Sequence, residues 1–186
     1  MNVKDMLRQA SDAAKQLITL SDQTIIGILK ETAQVLRTHT EEVLAANRQD
    51  LERMDPANPK YDRLKLTEER LQGIAADMEN VSTLPSPLNK VLSETIRPNG
   101  MVIRKVTVPF GVIGVIYEAR PNVTFDVFSL CFRSGNVCVL KGGSDADFSN
   151  RALVRIIHSV LERQGINPAV CTLLPPDREA LSLIHI

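Results

Sequence analysis

The sequence is short of cysteine and has no excess of either charge, and each shortage excludes a class of protein. Its 186 residues include three cysteines and 22 basic residues against 22 acidic ones. Because Cys131, Cys138 and Cys171 lack CxxC spacing and lie inside apolar runs, we expect reduced, buried thiols without a disulfide, metal-binding or catalytic role. Balanced charge creates no field that would draw the chain onto nucleic acid or an anionic membrane, so neither is an expected partner.

Long apolar runs are missing as well. No stretch reaches the roughly 18 apolar residues of a membrane span, and the N-terminal residues lack the apolar core of a secretory signal. We therefore expect a cytoplasmic protein. The histidines at 39, 158 and 185 have no spacing typical of metal ligands or of a catalytic pair, so no metal is expected. Since 44% of the residues are hydrophobic, the length fits one ordinary folded domain.

The first 82 residues or so are predicted to be helical. Ser21 and Thr67 each precede a helical pattern and are expected to cap it. Proline-containing segments at 55–59 and 84–90 predict breaks. The apolar residues that share one face are Ile25, Ile26, Leu29, Ala33 and Leu36 after the first cap, and Leu71, Ile74, Ala75, Met78 and Val81 after the second.

The pattern changes after residue 93. Two short β-prone runs flank a Pro-Asn-Gly turn signal, which predicts a hairpin at about 94–108. Strands and helices then alternate: a strand at 111–117, a helix at 124–133, a strand at 136–140, a helix from Ser144 to Gly165 and a strand at 170–174. This β-α-β-α-β order predicts parallel strands with right-handed crossovers. The fold class is therefore α/β, with N-terminal helices, a β-hairpin and part of a Rossmann-like parallel sheet.

Two details of this prediction depend on local pattern. The run at 111–117 is apolar without alternation, which predicts a strand covered by helices on both faces. Ser144 has Asp147 at the capping-box position and is expected to cap the second helix. The predicted buried stripe of that helix is Phe148, Ala152, Leu153, Ile156, Ile157, Val160 and Leu161.

Polar residues follow the first two strands of the sheet. The strand at 111–117 is followed by Glu118, Arg120, Pro121 and Asn122, and the strand at 136–140 by Lys141-Gly142-Gly143. Open parallel sheets bind ligands at the carboxyl ends of their strands. Two cations, an amide and a glycine pair indicate a phosphorylated or anionic ligand there. The usual GxGxxG fingerprint is missing, because the nearby glycines lie inside the strand.

Local sequence leaves the role of each loop residue open. Lys141 can bind a phosphate as a point charge beside glycines that let a ligand approach, or it can be a solvated lysine at a strand end. The Asn122 amide can donate to an oxygen that becomes negative during acyl transfer, or it can belong to a turn. Glu118 and Arg120 can pair with each other, bind an anionic substrate or face water.

The segment VPFGVIGVIYEARPNV, followed by SLCFRSGNVCVLKGGSDA, closely resembles the γ-glutamyl phosphate reductase family of the aldehyde dehydrogenase superfamily. The resemblance extends from the N-terminal helices to about Glu179. It implies an aldehyde-dehydrogenase-type cofactor domain and NADPH-dependent reduction of L-glutamate 5-phosphate to L-glutamate 5-semialdehyde with release of phosphate, the second step of proline biosynthesis. It also implies an oligomerisation role for the hairpin, a homo-oligomeric full-length enzyme and contact with glutamate 5-kinase.

The same resemblance assigns roles to the loops. Asn122 lies in the loop whose asparagine holds the acyl oxygen in the superfamily, and Lys141 lies where a lysine binds the adenosine ribose and a 2′-phosphate. Ser144 stands where NAD-preferring relatives often have glutamate, and this favours NADP. The spacing between the two loops is about one helical turn shorter than in typical aldehyde dehydrogenases. The cofactor-binding residues implied by the resemblance are Glu118, Ala119, Arg120, Pro121, Lys141, Gly142, Gly143 and Ser144.

The resemblance also predicts that the sequence is an N-terminal fragment. The family's nucleophilic cysteine lies beyond residue 186 and none of the three cysteines replaces it, so the chain is expected to be inactive alone. We expect four units: a helical part at 1–93, the hairpin at 94–108, the βαβαβ part at 109–180 and a non-native tail at 181–186. One DNA encoding of that LSLIHI tail is the transposon mosaic end used in sequencing libraries, and an authentic helical continuation is the alternative.

Two other functions compete with this prediction. A non-catalytic nucleotide- or anion-binding module would use the same two loops. The reductase half of a bifunctional synthase that also carries a glutamate kinase is disfavoured, because Met1 directly precedes the first predicted helix.

Overall fold

The structure, a computed structural model, describes residues 2–177, so the predicted tail at 181–186 lies outside the described residues. Five helices come first in this part of the chain: α1 (Val3–Leu17), α2 (Asp22–Thr38), α3 (Thr40–Glu52), α4 (Tyr61–Leu64) and α5 (Glu68–Thr83). They are followed by β1 (Val91–Ile96), β2 (Val102–Val106), β3 (Val112–Ile116), α6 (Asn122–Arg133), β4 (Val137–Lys141), α7 (Asp147–Arg163) and β5 (Cys171–Leu173). One turn of 3-10 helix, Ser144–Ala146, precedes α7, and another, Pro168–Val170, precedes β5.

Two of the N-terminal helices begin where the sequence predicts. The Ser21 hydroxyl accepts a hydrogen bond from the Thr24 amide at 3.1 Å, and the Thr67 hydroxyl accepts one from the Arg70 amide at the same distance. Each cap satisfies one backbone donor that has no partner within its helix. The buried face of α2 differs slightly from the prediction, since Ile28 is buried and Ile26 is half-buried. Both helices contribute to a core that also includes residues of α6, α7 and β4.

The C-terminal strands form a parallel sheet in the order β3-β4-β5, which confirms the predicted β-α-β-α-β arrangement. Central strand β4 is buried at all five positions, whereas β3 alternates between exposed and half-buried residues. The prediction that β3 is covered on both faces is therefore wrong for the described residues. β3 lies at an edge, and Ile113 and Val115 lie on its less exposed face while Val112 and Ile116 are exposed.

The hairpin forms, and it begins three residues earlier than the sequence predicts. β1 pairs antiparallel with β2, with Ile96 opposite Val102, and Gly100 in the connecting turn has a φ of +83°. A positive φ is readily adopted by glycine, which has no Cβ. Every residue of both strands is exposed.

Helix α7 is capped by a residue distant in sequence. The prediction that Ser144 caps it is wrong, because Ser144 begins the preceding 3-10 turn. The Asp50 carboxylate of α3 instead accepts hydrogen bonds from the Phe148 and Ser149 amides at 3.1 and 2.7 Å. Phe148 is also not part of the buried stripe: it is 37% exposed, and the Arg53 guanidinium lies 5.5 Å from the centre of its ring.

Candidate functional site

The three strands of the parallel sheet bring their following loops to one edge. Two backbone hydrogen bonds connect these strand ends, from the Tyr117 amide to the Lys141 carbonyl at 3.1 Å and from the Leu174 amide to the Leu140 carbonyl at 2.8 Å. The loops after β3 and β4 also touch, because a Cβ built on Gly143 would lie 3.5 Å from the Glu118 Cα. The two polar loops predicted from sequence are therefore neighbours at the carboxyl edge of the sheet.

Lys141 is the last residue of β4, and it is buried rather than solvated. The residue is 5% exposed, and its Nζ donates hydrogen bonds to the carbonyl oxygens of Gly142 at 3.1 Å and Pro176 at 2.9 Å. None of the ion pairs between described residues involves Lys141. The solvated alternative is wrong, since this ammonium is held between two strand ends by neutral acceptors.

Gly142 packs against the buried side chain of Asn150. A Cβ at this position would lie 2.3 Å from Nδ2 of Asn150, a closer approach than atoms tolerate. The Asn150 Oδ1 accepts a hydrogen bond from the Thr124 hydroxyl at 3.1 Å, and that hydroxyl lies 2.7 Å from the Tyr117 hydroxyl. Gly142 thus makes room for a network that links the end of β3 to α6 and α7. A Cβ built on Gly143 would make only contacts of ordinary van der Waals distance. Ser144 is exposed.

The loop after β3 contains two anchored and two exposed residues. Ala119 and Pro121 are buried, whereas Glu118 and Arg120 are exposed. The Glu118 carboxylate pairs with the Lys60 ammonium at 3.2 Å, so it does not pair with Arg120. None of the described ion pairs or side-chain hydrogen bonds involves the Arg120 guanidinium.

Asn122 is the first residue of α6 and is half-buried. Its Nδ2 donates a hydrogen bond to Oδ2 of Asp126, one turn later, at 3.0 Å. Burial raises the pKa of the Asp126 carboxyl, and the charge of Asp77 raises it further, while the Asn122 hydrogen bond opposes both effects. An amide nitrogen carries two hydrogens, so the bond to Asp126 orients the amide and uses only one of its two donors.

Asn122 and Arg120 line a cavity of about 360 Å³ that sequence reasoning missed, hereafter the Asn122 cavity. Its other walls come from α4, from the segment after α4 and from α5, which were expected to be scaffold. Neither Lys141 nor Ser144 lines it. The only sequence signal was the density of charge between residues 60 and 77. The remaining lining residues are Asp62, Arg63, Lys65, Leu66, Arg70, Gly73, Ile74 and Asp77.

The cysteines are free and buried, as predicted. Burial raises the pKa of the Cys131 thiol to about 12. A hydrogen-bonding interaction with Cys171, followed by burial, raises the pKa of the Cys138 thiol well above its usual range. Because a thiolate is the reactive form, neither of these thiols is prepared for nucleophilic attack near neutral pH.

The described residues offer no group of three metal-ligating side chains within reach of one ion. Of the helices between residues 2 and 177, none is both long and apolar enough to cross a membrane. His158, which lies in α7, is 2.7 Å from the Cys171 carbonyl oxygen through its Nε2.

Comparisons with known proteins give a consistent result, although no protein-family model matches the chain. The chain is 99% identical over 180 residues, 97% of its length, to gamma-glutamyl phosphate reductase from Parabacteroides distasonis, of which it covers 43%. The crystal structure of gamma-glutamyl phosphate reductase from Thermotoga maritima superposes with a TM-score of 0.92 at 31% identity, over 96% of this chain and 44% of that one.

A more distant structure shows the fold alone. Glyceraldehyde-3-phosphate dehydrogenase from Methanocaldococcus jannaschii, complexed with NADP, superposes with a TM-score of 0.67 at 17% identity, over 97% of this chain and 37% of that one. Aldehyde dehydrogenases are further structural neighbours, which confirms the predicted fold class. The chain spans less than half the length of the relatives it matches. Over its own length, the chain matches gamma-glutamyl phosphate reductases in sequence and has the fold of aldehyde dehydrogenases.

Proposed function

We propose that the chain provides the cofactor-facing part of an NADPH-dependent reductase that converts L-glutamate 5-phosphate to L-glutamate 5-semialdehyde and phosphate. The 99% identity to a named reductase supports this activity for the whole protein. The structural observation that carries the proposal is the buried Lys141 ammonium. A buried cation is costly without a negative partner, and here its recorded partners are two neutral carbonyls. An anionic ligand at the carboxyl edge of the sheet would supply the missing charge.

The residues at this edge fit a dinucleotide with a 2′-phosphate. Lys141 would hold the ribose and its phosphate, and Ser144 is exposed and uncharged, so it would not repel that phosphate. Gly142 and Gly143 would border the cofactor together with Glu118, Ala119, Arg120 and Pro121. NADPH, when bound, supplies the hydride that reduces the acyl group. Asn122 would donate its second amide hydrogen to the acyl oxygen as negative charge develops there.

Selectivity between NADPH and NADH tests this proposal. Ser144→Glu places a carboxylate beside the expected 2′-phosphate at an exposed position, where folding should not be disturbed. We expect NADPH affinity to fall at least about tenfold while NADH affinity changes little, measured by fluorescence titration. Lys141→Ala should weaken both cofactors, NADPH more, with the exposed Lys15→Ala as control. Unchanged NADPH selectivity in Ser144→Glu would contradict the assignment.

A non-catalytic nucleotide- or anion-binding module is the second candidate. The observation in its favour is that all three cysteines are buried and that the pKa values of the Cys131 and Cys138 thiols are raised, so the described cysteines offer no exposed thiol nucleophile. NADPH binding by the 186-residue chain, without turnover in a full-length relative, would favour the module. Turnover of acyl phosphate with NADPH by the full-length protein would favour the reductase.

Assembly and location belong to the same proposal. The exposed hairpin supports its role as the oligomerisation element of a homo-oligomer. We also propose that the chain divides into units that end at residues 93, 108 and 180. A cytoplasmic location and a contact with glutamate 5-kinase are the remaining parts of the proposal. Light scattering tests self-association, and co-sedimentation with purified kinase tests the contact.

A further inference from the structure

The Asn122 cavity contains charges of both signs. Its lining includes four basic and two acidic side chains, which gives a net charge of +2 when all are ionised. Arg70 is already engaged: it donates to the backbone carbonyls of Asp62 and Lys65 at 2.6 Å each, and to the Asp62 carboxylate at 3.1 Å. This arrangement fixes the segment between α4 and α5, so Arg70 is a positioning residue of the cavity wall.

The other charged side chains in the cavity remain available to a ligand. No hydrogen bond or ion pair recorded between residues 2 and 177 involves the side chains of Arg63, Lys65, Arg120 or Asp77. Three cations and one carboxylate thus line the same space, next to Asn122. Because the Asp126 carboxylate that orients Asn122 also lies near Asp77, the negative charge is concentrated on the α5–α6 side of the cavity. Arg63 of α4 and Lys65, in the segment after α4, lie at another wall.

Gly73 provides a second, independent observation. It lies inside α5, where glycine costs about 1 kcal/mol relative to alanine. Its φ is not positive, and a Cβ built there would meet nothing within 4 Å. Neither backbone conformation nor internal packing therefore requires glycine at this position. Gly73 does line the Asn122 cavity, and its missing side chain keeps that wall open.

We propose that the Asn122 cavity binds the amino-acid end of the acyl substrate, with Asp77 receiving the α-ammonium and Arg63, Lys65 and Arg120 receiving the anionic groups. This inference rests on the proposed reductase function and names the side chains that select its substrate. A phosphorylated amino acid with one ammonium, one carboxylate and one phosphate carries a net charge of about −2 near neutral pH. The cavity, at +2, is complementary to it.

The role of Asp77 is tested by measuring the wild type and the Asp77→Asn variant, each with two substrates. The reaction runs in the oxidative direction in the full-length Parabacteroides distasonis relative. The aldehyde hydrogen passes as hydride to NADP, phosphate becomes bonded to the acyl carbon, a proton is released, and NADPH absorbance reports the rate. The two substrates are L-glutamate 5-semialdehyde and 5-oxopentanoate, which lacks the α-amino group.

We expect Asp77→Asn to lower kcat/KM at least about tenfold for the amino substrate and less than twofold for 5-oxopentanoate, because only the first has an ammonium to bind. Asp12→Asn, an exposed aspartate of α1, is the matched control and should change neither value. An equal loss for both substrates would overturn the assignment of Asp77.

Filling the cavity gives a second test. Gly73→Leu should raise KM for the amino substrate about tenfold or more without lowering Tm, because leucine favours helix and projects into open space. Gly27→Leu is the matched control: Gly27 is also inside a helix, a Cβ there also meets nothing within 4 Å, and it does not line this cavity. A Gly73→Leu variant with unchanged KM would overturn the inference.

Direct binding separates failure of the inference from failure of the proposed function. If the wild-type protein oxidises neither aldehyde, the reductase proposal fails, and calorimetry with L-glutamate and glutarate in the presence of inorganic phosphate then tests the cavity alone. Preferential binding of L-glutamate that is lost in Asp77→Asn would support the cavity as an amino-acid site. Equal binding of both acids, or binding of neither, would overturn it.

Discussion

The central strand β4 and the β1–β2 hairpin contain similar apolar residues but lie in opposite environments. β4 has a strand on each side, contacts α1 and α6, and is buried at every position. The hairpin is exposed at every strand position, with Ile96 at 67% and Leu92 at 58% exposure. The described chain therefore completes the burial of one region and leaves the other available to a partner surface. Apolar pattern alone predicts β-structure in both regions and cannot distinguish their environments.

The largest effect is expected from a matched pair of phenylalanines. Phe132 of α6 is fully buried, whereas Phe110, between the hairpin and β3, is 95% exposed. Phe132→Ala should reduce the free energy of unfolding by about 3–5 kcal/mol, because it removes a buried ring and leaves a cavity. Phe110→Ala should change it by less than about 0.5 kcal/mol. Urea unfolding of both variants measures this difference, and equal losses would show that the two environments are not distinct in solution.

The Asp50 cap should give the next largest effect. Asp50→Ala leaves the Phe148 and Ser149 amides and the Ser149 hydroxyl without their acceptor, at an expected cost of about 2 kcal/mol. Asp50→Asn retains one acceptor oxygen and should cost less. Chemical denaturation measures the free energy of unfolding of both variants. A larger loss of stability in Asp50→Asn than in Asp50→Ala would contradict the capping role.

The same carboxylate predicts a pH dependence. Burial raises the pKa of Asp50, and the Ser149 hydrogen bonds oppose that shift only in part. A raised folded pKa means that the folded state binds the proton more tightly than the unfolded state. The contribution of Asp50 to stability should therefore fall as pH rises from its ordinary value near 3.8 through the raised value. Asp50→Asn should remove the fall in stability that Asp50 causes as pH rises. A curve of stability against pH that is the same in the variant and the wild type would contradict the titration of Asp50 as its cause.

These results show which structural features can be predicted from the sequence. The Ser21 and Thr67 caps and the parallel order depend on neighbouring residues or on element order, so they were predictable. The cap of α7 was not, because its acceptor comes from Asp50, 99 residues before Ser149. The local sequence pattern predicts a cap at Ser144, but the tertiary contact with Asp50 provides the cap instead.

In the candidate site, too, the features set by element order were predictable and those set by long-range contacts were not. That both polar loops lie at the carboxyl edge follows from parallel strand order alone. The burial of Lys141 depends on the Pro176 carbonyl after a different strand, and the Glu118 partner, Lys60, comes from the helical half of the chain. The Asn122 cavity was missed for the same reason, since its walls join α5 to the loop after β3.

A smaller effect should come from the hydroxyl network beneath the site. Tyr117→Phe removes the 2.7 Å hydrogen bond to Thr124 while keeping the ring in place. We expect a loss of about 1 kcal/mol, the usual net value of a partly buried hydrogen bond. Tyr61→Phe is the control, since none of the described hydrogen bonds involves its hydroxyl. Equal melting temperatures for the two variants would mean that the network contributes no measurable stability.

The smallest change in folding stability, and the sharpest test of the comparison, is expected from a charge on the hairpin. Ile96 lies opposite Val102 on the exposed hairpin, so Ile96→Lys should alter the free energy of unfolding by less than about 0.5 kcal/mol. If this surface joins subunits, the lysine must be desolvated on association, and light scattering should show a lower apparent mass at equal concentration. Leu130→Lys, which replaces an exposed leucine of α6, is the control and should leave the mass unchanged. Equal self-association of wild type, Ile96→Lys and Leu130→Lys would show that the hairpin is exposed for a reason other than assembly.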